Sequence, residues 1–289
     1  MSGFKTILVP VGDAASGKGP LEFALRLAAD FSSHMIGLHV RVDPATAVPL
    51  MGEGMSGAIV EDLMQATQKQ AASRAKAARQ AFDEACARHG ATLTAGPPAE
   101  GVTAEWIDVT GREEEVVAAR GRLSDVVVLG RPGGEADMPS PITLNAALME
   151  SGRPLLLVPP EPPAVIGHSV AIAWNGSAEA GRAVAFAMPL LQRAAAVHIL
   201  SVSEEMRAGN APAEELAAYL GWHGIAAQCH ALPAGASHAG DSLMAACRDL
   251  GADLLVMGAY THSRLRQLIL GGVTRHVLHH APLPCLMSH

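Results

Sequence analysis

Leu254-Leu-Val-Met-Gly-Ala-Tyr-Thr-His-Ser-Arg-Leu-Arg-Gln-Leu-Ile-Leu-Gly-Gly-Val-Thr274 combines a buried apolar run with a loop and a paired glycine. Leu254 to Met257 form a short apolar run, read as a buried strand, that stops at Gly258. A polar loop follows, and the pair Gly271-Gly272 opens a helix near Val273. Glycines at 258, 271 and 272 leave the backbone open to close approach by a ligand. The free N–H groups of the helix start point at the same place. Together these features make a candidate anion site, most naturally for phosphate.

The pattern around this stretch occurs twice. Thr6-Ile-Leu-Val-Pro-Val-Gly-Asp13 in the first half corresponds to Val170-Ala-Ile-Ala-Trp-Asn-Gly-Ser177 in the second. Each precedes an Ala/Leu-rich helical pattern, Pro20 to Phe31 and Ala180 to Arg193. A second apolar run follows in each half, His34 to Val40 and Ala196 to Val202. Ser124-Asp-Val-Val-Val-Leu-Gly130 matches Ala252-Asp-Leu-Leu-Val-Met-Gly258, and Arg153 to Pro159 matches Leu283 to Ser288. Short apolar runs alternating with helical periods imply βαβ units and a parallel sheet covered on both faces. Pro159-Pro-Glu-Pro-Pro163 separates the halves as a stiff linker. Two domains are expected, 1–160 and 164–289.

The first half also carries an insertion from Pro44 to Gly90. Its start is loop-like, and Ile59 to His89 reads as one long helix, free of Gly and Pro. Leu63, Ala66, Ala71, Ala75, Ala78 and Phe82 give that helix an apolar component suited to covering the first domain.

Composition narrows the functional classes. The chain has 289 residues, 49% of them hydrophobic but only 3% aromatic, so its core is built from Ala, Val, Leu, Ile and Met. A net charge of −7 argues against a general nucleic-acid binder. Cys86, Cys229, Cys247 and Cys285 have no CxxC spacing and read as reduced and mostly buried. The first ten residues run straight into a strand pattern without a signal peptide, and no apolar run is long enough to span a bilayer. The expectation is a cytoplasmic protein.

Several residues invite chemistry. Arg264 and Arg266 are suited to neutralising phosphates, and His262 to stacking on or bonding a ligand. Ala173, Trp174, Asn175 and Ser177 lie where a strand ends, the place where open parallel sheets bind ligands. His276 and His280 have the i, i+4 spacing of a zinc pair, but without a His-Glu-x-x-His pattern they read as part of a solvated or interface helix. His238-Ala-Gly-Asp-Ser242 lacks a nucleophile elbow and reads as a loop capping the next helix through Asp241 or Ser242. No catalytic constellation and no metal site emerge.

Both halves resemble the universal stress protein family, tandem type, whose signature is Gly-x2-Gly-x9-Gly-(Ser/Thr) after the fourth strand of a five-stranded α/β fold. In the second half the frame runs from Gly258 through Thr261 to Gly271 and Gly272, and Val273-Thr274 continues it. The resemblance implies two domains, each with a mostly parallel five-stranded twisted sheet and helices on both faces, joined as an intramolecular pseudo-dimer; whether the chain forms a further homodimer stays open. It implies an adenine nucleotide, ATP with magnesium or manganese, in the C-terminal domain as a sensor or switch, and at most slow ATPase activity. The implied contacts are Ala173, Trp174, Asn175, Val202, Met257, Gly258, Thr261, His262, Arg264, Gly271, Gly272, Val273 and Thr274. Three departures bear on this: Thr261 replaces a glycine, Gly272 a hydroxyl residue and Asn175 an aspartate. In the first half Gly130-Arg-Pro-Gly133 begins the motif, but Ser140-Pro-Ile-Thr143 stands at the helix start, so that cradle reads as degenerate. The alternative is an interaction protein of the same fold with a decayed site.

Overall fold

The computed structural model describes residues 3–42, 57–97, 101–131, 140–202, 209–232, 239–260 and 272–289. The chain divides into two compact units, one of Lys5–Ser151 and one of Gly152–His289 together with the N-terminal residues through Phe4. The first contains β1 (Thr6–Pro10), α1 (Ala14–Phe31), β2 (His34–Val42), α2 (Gly57–His89), β3 (Thr92–Leu93), β4 (Thr103–Gly111), α3 (Glu113–Gly121), β5 (Val126–Gly130) and α4 (Pro141–Glu150). Its strands lie in the order β3-β4-β2-β1-β5, and these pairings are parallel.

The second unit contains β6 (Leu155–Val158), β7 (Ser169–Ala173), α5 (Ala178–Leu191), β8 (Ala196–Val202), α6 (Ala213–Trp222), β9 (Gln228–Leu232), α7 (Ala239–Asp249), β10 (Leu254–Gly258), α8 (Gly272–His280) and β11 (Cys285–Ser288). Its order is β6-β11-β10-β7-β8-β9. The pairings are parallel except for β6 with β11, which run antiparallel with Leu156 opposite Leu286. β6 closes the first half of the sequence, yet it pairs here with the strand that closes the second half.

The expected α/β fold with mostly parallel sheets is the observed one. Ile7–Val9, Val126–Leu129, Val170–Ile172 and Leu254–Met257 are buried at every position. Successive strand residues face opposite sides, so these strands are covered on both faces. The second half supplies five strands, β7 to β11; the first supplies six, because the two-residue β3 pairs outside β4.

Helix starts are set by caps more than by proline. The sequence places the first helix at Pro20, but α1 begins at Ala14, because the Asp13 carboxylate accepts from Ser16 N at 2.8 Å and caps it. Pro20 lies within the helix. Likewise α5 starts at Ala178, capped by Ser177. Asp241 and Ser242 are not caps: α7 begins at Ala239 and places both inside its first turn.

The insertion helix covers the first sheet, as its pattern predicts. Ala75, Ala78, Phe82, Ala85 and Cys86 are buried. Phe82 packs on Gly37 of β2 and Trp106 of β4, with ring centroids of Phe82 and Trp106 5.1 Å apart. A Cβ at Gly37 would stand 2.6 Å from Phe82 and 2.8 Å from Trp106, so only glycine admits the helix at this depth. Of the remaining expected stripe, Ala71 is half-buried, while the side chains of Leu63 and Ala66 lie outside the described set. Arg88 and His89 end the helix on Glu22 of α1, at 2.5 and 2.6 Å. Burial pushes the Glu22 carboxyl up, but hydrogen bonds and charge from His89 and Arg88 outweigh it and hold the group below its ordinary value.

Each half fastens its first strand with an aspartate. Asp125 accepts from Lys5 N at 2.6 Å and Thr6 N at 2.9 Å. Asp253 accepts from Gly167 N, His168 N and Ser169 N at 2.7, 3.0 and 3.2 Å. Asp253→Ala leaves three backbone donors without this acceptor and is expected to cost about 2 kcal/mol, read from urea unfolding; an unchanged midpoint would show that water replaces the clip.

All four cysteines are free, three of them buried. Burial pushes the Cys86 thiol up to about 11 and the Cys247 thiol up to about 12, so both stay protonated at neutral pH.

Candidate functional site

The parallel register brings three strand ends together in the second half. Ala173 of β7 is opposite Met257 of β10 on one side and Leu200 of β8 on the other. Val202 ends β8, opposite Leu232 of β9. These are carboxyl ends, where helices that follow direct their N-termini.

After β7 the chain turns through Trp174 to Ser177. Trp174 N donates to Leu200 O at 2.9 Å, as Val11 N donates to Leu38 O at 2.8 Å in the first half. The Trp174 indole N–H donates to Ala211 O at 2.9 Å, and Asn210 Nδ2 donates to Asn175 O at 2.7 Å. The Asn175 side-chain oxygen accepts from Ser177 N at 3.1 Å, and Ser177 Oγ accepts from Ala180 N at 3.2 Å. Gly176 has φ +70°, and a Cβ there would lie 2.5 Å from Asn210 Cβ. The loop is therefore fixed by the fold itself, with the indole N–H and the Asn175 oxygen both engaged.

At the end of β10, Gly258 meets the first turn of α5. An added Cβ would lie 2.5 Å from Ala180 N and 2.8 Å from Glu179 C. The close approach predicted for a ligand at Gly258 is made by that helix. Arg182 on the same helix bonds Glu179 and the His289 carbonyl, both at 2.9 Å, and His289 Nδ1 lies 3.2 Å from Ala259 O.

Tyr260, two residues on, carries no motif that marks it in the sequence. Its φ is +57°, the left-handed region that L side chains rarely adopt. Its N–H donates to Thr274 Oγ1 at 3.5 Å. This bond joins the start of the signature loop to the first turn of α8. Thr274 is buried, Val273 half-buried and Gly272 exposed. Among the described residues, a Cβ at Gly272 would meet nothing within 4 Å. Thr261, His262, Arg264, Arg266 and Gly271 lie outside the described residues.

His276 packs on Gly240, where a Cβ would lie 2.7 Å from its ring, and its Nε2 is 3.2 Å from Asp241 Oδ1. His279 and His280 are exposed. Among the described residues no group of three or more His, Cys, Asp or Glu is arranged to hold a metal ion.

In the first half the corresponding helix start is α4. Ser140 Oγ caps it by accepting from Thr143 N at 3.1 Å, and Pro141 takes the first position. Proline contributes no N–H, and Ile142 is 65% exposed beside it. Gly130 faces α1 at Pro20 and Ser16 O, much as Gly258 faces α5.

Two α/β halves, each with a helix (α4 or α8) following the central strand β5 or β10, define a tandem doubly wound protein. The universal stress protein family model matches residues 3–159 and again 168–289; the chain belongs to that family and carries two of its domains. It is similar in structure to a universal stress protein from Archaeoglobus fulgidus DSM 4304, with 18% identity over 98% of this chain and 95% of that one and a TM-score of 0.67. It is also similar to a functionally unknown protein from Pseudomonas aeruginosa PAO1, with 14% identity, 99% and 92% coverage and a TM-score of 0.53. No curated protein matches it. Among the described residues no helix is long and apolar enough to cross a membrane.

Proposed function

We propose that residues 164–289 form a sensor domain that binds an adenine nucleotide, ATP, and that residues 1–160 form a companion domain with a degenerate site. The observation that supports this reading is the first turn of α8: no described residue comes within 4 Å of a Cβ at Gly272, and the N–H of Tyr260, just after β10, donates to Thr274 Oγ1. Backbone N–H groups at a helix start favour phosphate oxygens. In this reading Gly271 to Thr274 hold the phosphates, Arg264 and His262 close over them, and Ala173 to Asn175, Val202, Met257 and Gly258 frame the adenosine. Magnesium or manganese accompanies the phosphates. With no base assigned to activate water, binding acts as a switch in a cytoplasmic stress response, and turnover is slow at most.

A second reading, an interaction protein with a decayed site, draws on a specific observation: the Trp174 N–H, the Asn175 oxygen and Gly258 all serve the fold. Thermal unfolding with ATP or AMP, each with and without magnesium, separates the two. A ligand at a hundred times its Kd stabilises the native state by about 2.7 kcal/mol, and Gly271→Val is expected to remove that gain without unfolding the chain. No shift at millimolar nucleotide favours the interaction protein.

A further inference from the structure

Two histidines of the second half face each other across neighbouring strands. His198 lies in β8 and His230 in β9, the last described strand of the sheet. Leu200, two residues after His198, is opposite His230. Residues two apart on a strand share a face, so His198 and His230 stand diagonally on one face. His198 is buried and His230 half-buried. His198 Nδ1 is 3.2 Å from His230 Nε2, and the ring centroids are 5.2 Å apart. Among the described residues neither ring has another hydrogen bond. The first half builds the same place without them. Val11 N donates to Leu38 O as Trp174 N donates to Leu200 O, so β2 and β8 are equivalent. Leu38 is opposite Ile107, as Leu200 is opposite His230. Ile36 and Ile107 therefore occupy in the first half the positions of His198 and His230 in the second.

From this geometry we infer that His198 and His230 form a binding site for a divalent transition-metal ion such as zinc or nickel. Imidazole nitrogen suits these ions, whereas magnesium prefers oxygen ligands. Two nitrogens each about 2.0–2.1 Å from a tetrahedral ion are about 3.3–3.4 Å apart, and at right-angled positions about 2.9 Å apart. The observed 3.2 Å lies between these values, so small ring rotations bring the pair onto an ion without moving the strands. A neutral imidazole carries one N–H and one lone pair. In the pair as it stands, one ring donates to the other. With an ion bound, both facing nitrogens present lone pairs, and each ring carries its proton on its other nitrogen. The chain supplies two ligands and water completes the shell. Gln228 and Ala231, on either side in β9, are exposed, so water reaches this edge. Cys229 is exposed as well, but it adjoins His230 in the strand and so points to the opposite face. The pair His276 and His280 is engaged otherwise: His276 Nε2 faces Asp241, and His280 Nδ1 bonds His276 O. The site uses none of the residues assigned to the nucleotide and does not rest on that reading.

The test counts ions on the full native chain. Equilibrium dialysis against zinc, without nucleotide, compares the unsubstituted chain with His198→Ile, His230→Ile and Cys229→Ser. Isoleucine is the residue that the first half uses at both histidine positions. The unsubstituted chain and Cys229→Ser are expected to bind one more zinc ion at saturation than either isoleucine variant. Nickel is expected to repeat this difference, and magnesium to show none. Because the readout is a difference, ions held by other histidines cancel. An unsubstituted chain that binds no zinc, an equal count in all the chains, or an ion lost in Cys229→Ser overturns the inference. So does a magnesium difference equal to that of zinc. Far-UV circular dichroism of each variant checks its fold first. Should the buried His198→Ile fail to fold, His230→Ile at the sheet edge decides the outcome.

Discussion

Phe82→Ala is expected to destabilise the first compact unit by about 3–5 kcal/mol, the usual cost of removing a buried aromatic ring and leaving a cavity. Phe82 has no exposed surface, and its neighbours Gly37 and Trp106 sit on sheet backbone that cannot move in to fill the space. Arg79 lies over the same rings, 5.7 Å from Phe82 and 5.9 Å from Trp106, but it is exposed. Arg79→Ala is accordingly expected to cost no more than about 1 kcal/mol. Equilibrium urea unfolding of the two variants measures both. A Phe82→Ala loss as small as that of Arg79→Ala would mean that the helix does not dock on the sheet.

Gly258, a signature glycine, and Gly272, which stands in the signature's hydroxyl position, are expected to answer substitution in opposite ways. Gly258→Ala brings a Cβ within 2.5 Å of Ala180 N, and that backbone is fixed by the Ser177 cap. Strain of this kind costs about 1–3 kcal/mol or more, and it is expected with or without nucleotide. Gly272→Ser meets none of the described residues within 4 Å, so stability is expected to change by no more than about 0.5 kcal/mol. The same change restores the hydroxyl that the family signature carries, and ATP affinity is expected to rise. Paired measurements of unfolding midpoint and nucleotide affinity check both. A Gly258→Ala chain of native stability would refute the packing role, and a Gly272→Ser chain that loses nucleotide would refute the phosphate-binding turn.

The two halves, their alternating strands and helices and their glycine signature were legible because periodicity and turn residues are local properties. Buried runs such as Ile7–Val9 and Leu254–Met257 announce themselves, since strands covered on both faces are apolar at successive positions. β4 does not: it carries Glu105 and Asp108 within Thr103–Gly111, and it is a strand because it pairs with β2 along all nine positions. Helix starts were misplaced where Pro20 drew attention from the cap at Asp13.

The candidate site divides along the same line. Residue order alone placed Gly272 to Thr274 at a helix start and Ala173 to Asn175 at a strand end, because each assignment needs only neighbours in the chain. Tertiary packing decided that Gly258 answers to α5, that Trp174 holds Ala211, and that Tyr260 adopts a positive φ beneath Thr274. It also decided that Glu113, thirty residues from Thr143, meets it at the start of α4. Which elements form, and in what order, follows from residue order, since hydrophobic period, caps and turns act over a few residues. Which of these positions the rest of the chain covers is a matter of packing, because that depends on what distant side chains bring to them.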